Sequence, residues 1–243
     1  LRPAPGVFRF EPADRLSAWA TAQGLTMRGH TLLWHLPRWW PAWINEHAFG
    51  ARPAAEAERL LAEHIATVCG HYGGGIGSWD VVNESIDPAT GAWHDNALTP
   101  HLGNAGQVEL AFRLARKHAP HAQLVYNDFM SWGSHSALHR AGVLRLLEGL
   151  KSRGAPVHAL GLQSHIGTGS DGAGVRSGGA NEQEWRRFLA EVTGMGLDLL
   201  VTELDVNDRY LPADVSRRDR EAAALLRDYL DVTLDNPHLH DVL

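Results

Sequence analysis

A single cysteine, Cys69, among 243 residues excludes an internal disulfide framework and any zinc site built on several thiolates. Long apolar runs are missing as well. Nothing approaches the roughly 20 residues that a membrane-spanning helix requires, and the first residues, LRPAPGVFRF, lack the charged and apolar regions of a signal peptide. With 22 basic against 28 acidic residues and a net charge of −6, the chain offers no general attraction to nucleic acid or to an anionic membrane. No G-x-G-x-x-G sits at a strand-to-helix turn, so no dinucleotide cradle is indicated. His30, His35, His165, Glu203 and Asp205 could be drawn as ligands of a zinc or manganese hydrolase. No H-x-H or H-E-x-x-H at a strand or helix start anchors that drawing, and neither metal nor cofactor is expected.

What the chain has is apolar content and tryptophan. At 44% hydrophobic residues it can bury a large single core or two modest ones. Nine tryptophans stand against six phenylalanines and four tyrosines, an unusual ratio. The cluster WHLPRWWPAW places Trp34, Trp39, Trp40 and Trp43 around Pro37 and Pro41. Those prolines interrupt any regular element, which leaves either loop packing or an aromatic platform for a ring-shaped ligand.

Five short apolar runs alternate with helical patterns. A leading helix spans about 12–23, and the runs cover 25–35, 77–84, 122–129, 157–165 and 197–206. Helices are expected near 54–72, 105–118, 136–153, 182–193 and 217–234, the third carrying an apolar stripe of Leu138, Val143, Leu144, Leu146, Leu147 and Leu150. This alternation, without hairpin signals, implies a parallel sheet covered by helices. Five strands would satisfy an open doubly wound sheet. Polar groups at successive strand ends, however, are the working arrangement of a (β/α)8 barrel. The Gly-rich stretch from Gly167 to Gly179 reads as a mobile loop, and no linker divides the chain.

Two of those strand ends carry glutamates. In WDVVNE (79–84), Val81 and Val82 read as a buried strand core with Asn83 and Glu84 at its end; in VTELDV (201–206), Glu203 and Asp205 share one face. A bland reading makes both acidic ends solvated loops. If they reach one mouth of a barrel, they suit chemistry at an acetal carbon. One protonated carboxyl donates to the leaving oxygen while an ionised one attacks or activates water, and their separation decides the stereochemical outcome. Asp205 could orient a histidine, His165 among the candidates, through an imidazole N–H.

RGHTLLWH, WDVVNE, YNDF, GLQSHI and VTELDV, in this order and spacing, resemble glycoside hydrolase family 10, the β-1,4-xylanases. The resemblance covers residues 6 to 240. It implies a retaining (β/α)8 enzyme that hydrolyses internal β-1,4-xylosidic bonds of xylan, with Glu84 as acid/base and Glu203 as nucleophile. It also implies that His30, Trp34, Asn83, Gln163 and His165 line the glycone side, with Asp205 supporting His165. Asn127 and the Phe129 ring would face the aglycone, where similar enzymes often carry tyrosine. Family members begin with two further strands and end with an eighth and its tryptophans; on that comparison only strands three to seven are expected here. Residues 1–243 then read as one catalytic domain, an incomplete TIM barrel truncated at both ends, with weak or no catalysis of its own. Xylan or xylo-oligosaccharides are the expected partners of a monomer, secreted or periplasmic because its substrate is a polymer. A β-1,4-glucan or cellulose glycosidase and a catalytically impaired xylan-binding fragment are the alternatives.

Overall fold

The structure, a computed structural model, describes residues 1–167, 179–209 and 211–243. Most of the Gly167–Gly179 loop therefore lies outside the described residues. In chain order the elements are α1 (Glu11–Ala22), β1 (Met27–Trp34), α2 (Ala42–Asn45), α3 (Pro53–Tyr72), β2 (Ile76–Asn83), α4 (Thr99–Leu102), α5 (Asn104–His118) and β3 (Gln123–Asp128). They continue as α6 (Ala137–Ser152), β4 (Ala159–Leu162), β5 (His165–Gly167), α7 (Gly179–Gly194), β6 (Asp198–Val201), β7 (Asp205–Asn207), α8 (Val215–Leu234) and β8 (Leu239–Val242).

This corrects the strand count. The expectation of five strands, with the first, second and eighth missing, gives way to eight strands and eight α-helices among the described residues, a (β/α)8-like complement. The expectation of impaired catalysis rested on that count. Three strands escaped the sequence reading for two reasons. The runs 157–165 and 197–206 each looked continuous, but the first breaks after Leu162 and the second after Val201, so β5 and β7 are separate short strands. The break after Leu162 has a local cause: Ser164 adopts φ +61°, which no regular strand accommodates. At the other end, LHDV carries too little apolar alternation to read as a strand, yet Leu239 and Val242 pair in parallel with Leu199 and Val201.

The chain forms two compact units. The first comprises Leu1–Ser85, Trp93–Tyr126 and Gly149–Val157. Within it β1 pairs in parallel with β2, Trp34 lying opposite Asn83, and α3 packs on α5. Helix α3 forms because Pro53 opens it and Ala57, Leu60, Leu61, Ile65 and Val68 recur on one buried face. Gly73 at φ +51° ends it. Val81, Val82, Ile65 and Phe112 are fully buried.

The second unit comprises Ile86–Ala92, Asn127–Glu148 and His158–Leu243. Here β4 pairs in parallel with β6, β6 with β8, and β5 with β7. The apolar runs of β4 and β6 are buried on both faces, as strands of a parallel sheet are. Helix α8 starts at Asp214, whose carboxylate accepts from the Arg217 N–H at 2.8 Å. In the stripe expected on α6, Val143, Leu146, Leu147 and Leu150 are buried while Leu138 is exposed, because at about 3.6 residues per turn Leu138 falls on a different face from those four.

Gly29 on β1 is fixed by a close approach: a Cβ there would stand 2.1 Å from the Trp79 ring. Gly29→Ala is expected to cost about 1–3 kcal/mol through overpacking, read as a lower denaturant midpoint. Gly77→Ala, with nothing within 4 Å, should leave the midpoint nearly unchanged.

Candidate active site

In the first unit the candidate residues lie along β1 and at the end of β2. Asp80, only 2% exposed, would be costly to bury alone. Arg28 donates to its Oδ1 at 2.5 Å, and His30 Nδ1 lies 3.0 Å from Oδ2. Thr31 Oγ1 donates to the Asp80 carbonyl at 2.8 Å. Asp80, the first acidic residue of WDVVNE, is thus a paired structural carboxylate that holds His30, and Asn83 is fully buried beyond it.

Glu84 follows in a left-handed conformation, φ +53°. A non-glycine residue there costs on the order of 1–3 kcal/mol and persists only where its surroundings dictate it. Those surroundings are visible. The next residue, Ser85, donates its N–H to the Tyr126 hydroxyl at 3.1 Å, and its Oγ lies 3.2 Å from His35 Nδ1. His35 Nε2 in turn donates to the His94 carbonyl at 3.0 Å. The Glu84 side chain is 7% exposed and its Oε2 accepts from Trp34 Nε1 at 3.0 Å. Trp34 also stacks on Trp39 at 5.0 Å between ring centroids and meets His30 edge-on at 5.6 Å. His30, Trp34, Trp39, Trp40 and Trp43 line a cleft of about 640 Å³. Trp39 is 54% exposed there, so part of the tryptophan cluster does present an accessible ring.

In the second unit β3, β4 and β6 deliver Asn127, Gln163 and Glu203. Asn127 Nδ2 donates to Glu203 Oε1 at 2.9 Å, while Thr202 Oγ1 donates to Asn127 Oδ1 at 2.7 Å. A carboxylate only accepts, so the threonine hydroxyl fixes the amide with its nitrogen toward Glu203. The amide fits because residue 161 is glycine: a Cβ would stand 2.2 Å from Asn127 Oδ1. His165 Nδ1 lies 2.8 Å from Asp205 Oδ2, and its Nε2 lies 3.3 Å from Glu203 Oε2. Glu203 keeps about a third of its side chain exposed, so it is both anchored and reachable. Gln163 is buried, its N–H donating to the Asp128 carbonyl at 3.0 Å.

A profile described as glycosyl hydrolase family 10 matches residues 1–243. The chain belongs to glycosyl hydrolase family 10. It is 34% identical over 209 residues to endo-1,4-beta-xylanase B of Paenibacillus barcinonensis, covering 85% of this chain and 58% of that protein. It is 32% identical over 202 residues to endo-1,4-beta-xylanase A of Thermotoga neapolitana, covering 82% of this chain and 18% of that protein. It thus spans less than two thirds of the length of these relatives. Among solved structures, native xylanase 10B of Thermotoga maritima superposes with a TM-score of 0.85 at 29% identity, covering 99% of this chain and 68% of that one. Xylanase 10B of Thermotoga petrophila RKU-1, solved in complex with xylobiose, gives 0.81 at 28% identity, covering 99% and 68%.

Within this family 10 chain, the structure groups the sequence candidates by unit. His30, Trp34, Asn83 and Glu84 belong to the first; Asn127, Gln163, His165, Glu203 and Asp205 belong to the second. Asn127, expected toward the aglycone, donates to Glu203. Sequence reasoning missed Thr202, the bracket of His35 and Tyr126 around Ser85, and the fully buried pair of His139 Nε2 and Asp128 Oδ1, 3.0 Å apart. Thr202 could have been found, since it precedes Glu203 in VTELDV; the others are brought together only by folding.

Burial lowers the His35 pKa from 6.5 to about 4, against smaller opposing contributions from Asn104 and the His94 carbonyl. His64 is lowered to about 4 as well, again mainly by burial and then by the Arg2 charge. In both, the folded value lies below the unfolded one, so the unfolded chain takes up protons first. Stability present above pH 6.5 is therefore lost as pH falls toward 4, by on the order of 3 kcal/mol for His35 alone. Denaturant midpoints measured across that window should fall with pH, and less steeply in His35→Gln; an equal slope in that variant would contradict this role.

Proposed function

We propose that residues 1–243 form the catalytic domain of an endo-1,4-β-xylanase that cleaves internal β-1,4-xylosidic bonds of xylan by retaining double displacement. The observation that carries this reading is the treatment of Glu203: one oxygen is held by an oriented amide, the other faces an imidazole backed by Asp205, and the group stays reachable. That is how a nucleophilic carboxylate is aimed, because the donors fix its direction while leaving a path to the anomeric carbon. Membership of family 10 and likeness to endo-1,4-beta-xylanases support it.

In the proposed reaction Glu203 attacks the anomeric carbon as Glu84 gives its proton to the leaving oxygen. Glu84 then takes a proton from water, which releases the sugar from Glu203. His30, Trp34, Asn83, Gln163 and His165 are proposed to contact the glycone, with Trp34 offering an apolar ring face to a pyranose. The Phe129 ring is proposed for the aglycone. The domain is proposed to act as a monomer on xylan or xylo-oligosaccharides outside the cytoplasm, where the polymer is found.

Two variants separate the roles. Glu203→Ala should lower xylan cleavage by at least about 10⁴-fold, as loss of a covalent nucleophile does. Glu84→Ala should lose far less on aryl xylobiosides with good leaving groups and should be rescued by azide, which needs no base, giving a β-glycosyl azide. Unchanged cleavage by Glu203→Ala, or azide rescue with the α anomer as product, would overturn the assignment. A substrate panel including β-1,4-glucan should show preference for xylan.

A further inference from the structure

Ser164 is the second non-glycine residue held at positive φ among the described residues, at +61°, and it takes no part in the proposed chemistry. It separates β4 from β5 and stands between two site residues, Gln163 and His165. A strained conformation of this kind persists only where something fixes it. Ser164 is 7% exposed, and three contacts hold it. Its Oγ donates to the Leu162 carbonyl at 3.1 Å, the same oxygen lies 2.6 Å from the Tyr229 hydroxyl, and its carbonyl accepts from the Asp205 N–H at 3.4 Å.

Tyr229 is itself immobilised. Its ring lies 3% exposed on α8, edge-on to Trp132 at 5.6 Å and tilted against Trp185 at 6.0 Å. The Trp185 Nε1 donates to Thr233 Oγ1 at 3.0 Å, and that hydroxyl donates to the Tyr229 carbonyl at 2.8 Å. Burial pushes the phenol up to about 12, so its O–H remains a donor at ordinary pH. The phenolic oxygen therefore presents a fixed point from the helix layer to a kinked residue at a strand end.

The consequence of the kink lies one residue later. Directly after Ser164, β5 begins in register with β7, His165 opposite Asp205. That register is what brings His165 Nδ1 to 2.8 Å from Asp205 and Nε2 to 3.3 Å from Glu203. We propose that Tyr229 and Ser164 are a positioning pair, whose hydroxyl contact pins the left-handed turn that aims His165 at the nucleophile. The proposal deepens the function given above and rests on Glu203 as nucleophile for its kinetic part.

The test uses Tyr229→Phe, which removes the hydroxyl and keeps the ring, together with Ser164→Ala and the double variant. Each single variant should lower kcat on xylo-oligosaccharides about tenfold with KM changed less than about twofold, and the double variant should be no worse than Ser164→Ala alone. Ser164→Gly, which accepts positive φ without strain, should retain more kcat than Ser164→Ala. Independently of turnover, the His165 imidazole 15N signals should move in Tyr229→Phe. Wild-type kcat in folded Tyr229→Phe, additive losses in the double variant, or unmoved His165 signals would overturn the proposal. If the unaltered chain cleaves no xylan while the His165 signals still respond, the positioning pair stands and the xylanase reading falls.

Discussion

Glu203 is held from two directions, by the Asn127 amide at 2.9 Å and by the His165 ring at 3.3 Å, and much of the second unit's detail serves to keep those two neighbours in place. Glycine at 161 makes room for the amide and Thr202 orients it. Asp205 orients the imidazole. These groups come from β3, the segments after β4 and β6, and the β5–β7 pair, so parallel strand pairing sets their relative positions. A site built on strand ends inherits the rigidity of the sheet, which is the advantage of rigid elements over loops in holding reactive groups.

The first unit meets a comparable demand differently. Glu84 is only 7% exposed and sits in a left-handed conformation. Its placement depends on Ser85, locked by Tyr126 and by a His35 imidazole that burial keeps neutral. Both units thus hold a non-glycine residue at positive φ where a strand gives way to a functional segment, Glu84 in one and Ser164 in the other. Such strain is tolerated because buried hydroxyl and imidazole groups over-determine the backbone there.

Much of this was legible in the chain. The positions of α3, α5 and α8, the apolar stripe of α6, the buried Val81 and Val82, and the two glutamates at strand ends follow from periodicity and turn signals. Asp80 shows where that reasoning stops. WDVVNE puts a carboxylate inside an apolar strand, but Arg28 and His30, its partners, lie some fifty positions earlier and join it only through the β1–β2 register. The short strands were illegible for a different reason. Periodicity treats 157–165 and 197–206 as unbroken, because a kink at Ser164 depends on a tyrosine 65 positions away, and β8 depends on pairing with β6 more than on its own residues.

If Glu203 is the nucleophile, the reaction passes through a covalent bond between its carboxylate and the anomeric carbon. A 2-deoxy-2-fluoro-xylobioside with a good leaving group destabilises the oxocarbenium-like transition states of both steps, and the leaving group restores the first, so the intermediate accumulates. Mass spectrometry of the peptides after such treatment tests the account most directly. It predicts one fluoroxylobiosyl adduct on the peptide containing VTELDV, with fragmentation placing it on Glu203; an adduct on another residue, or none despite turnover of the parent substrate, would contradict it.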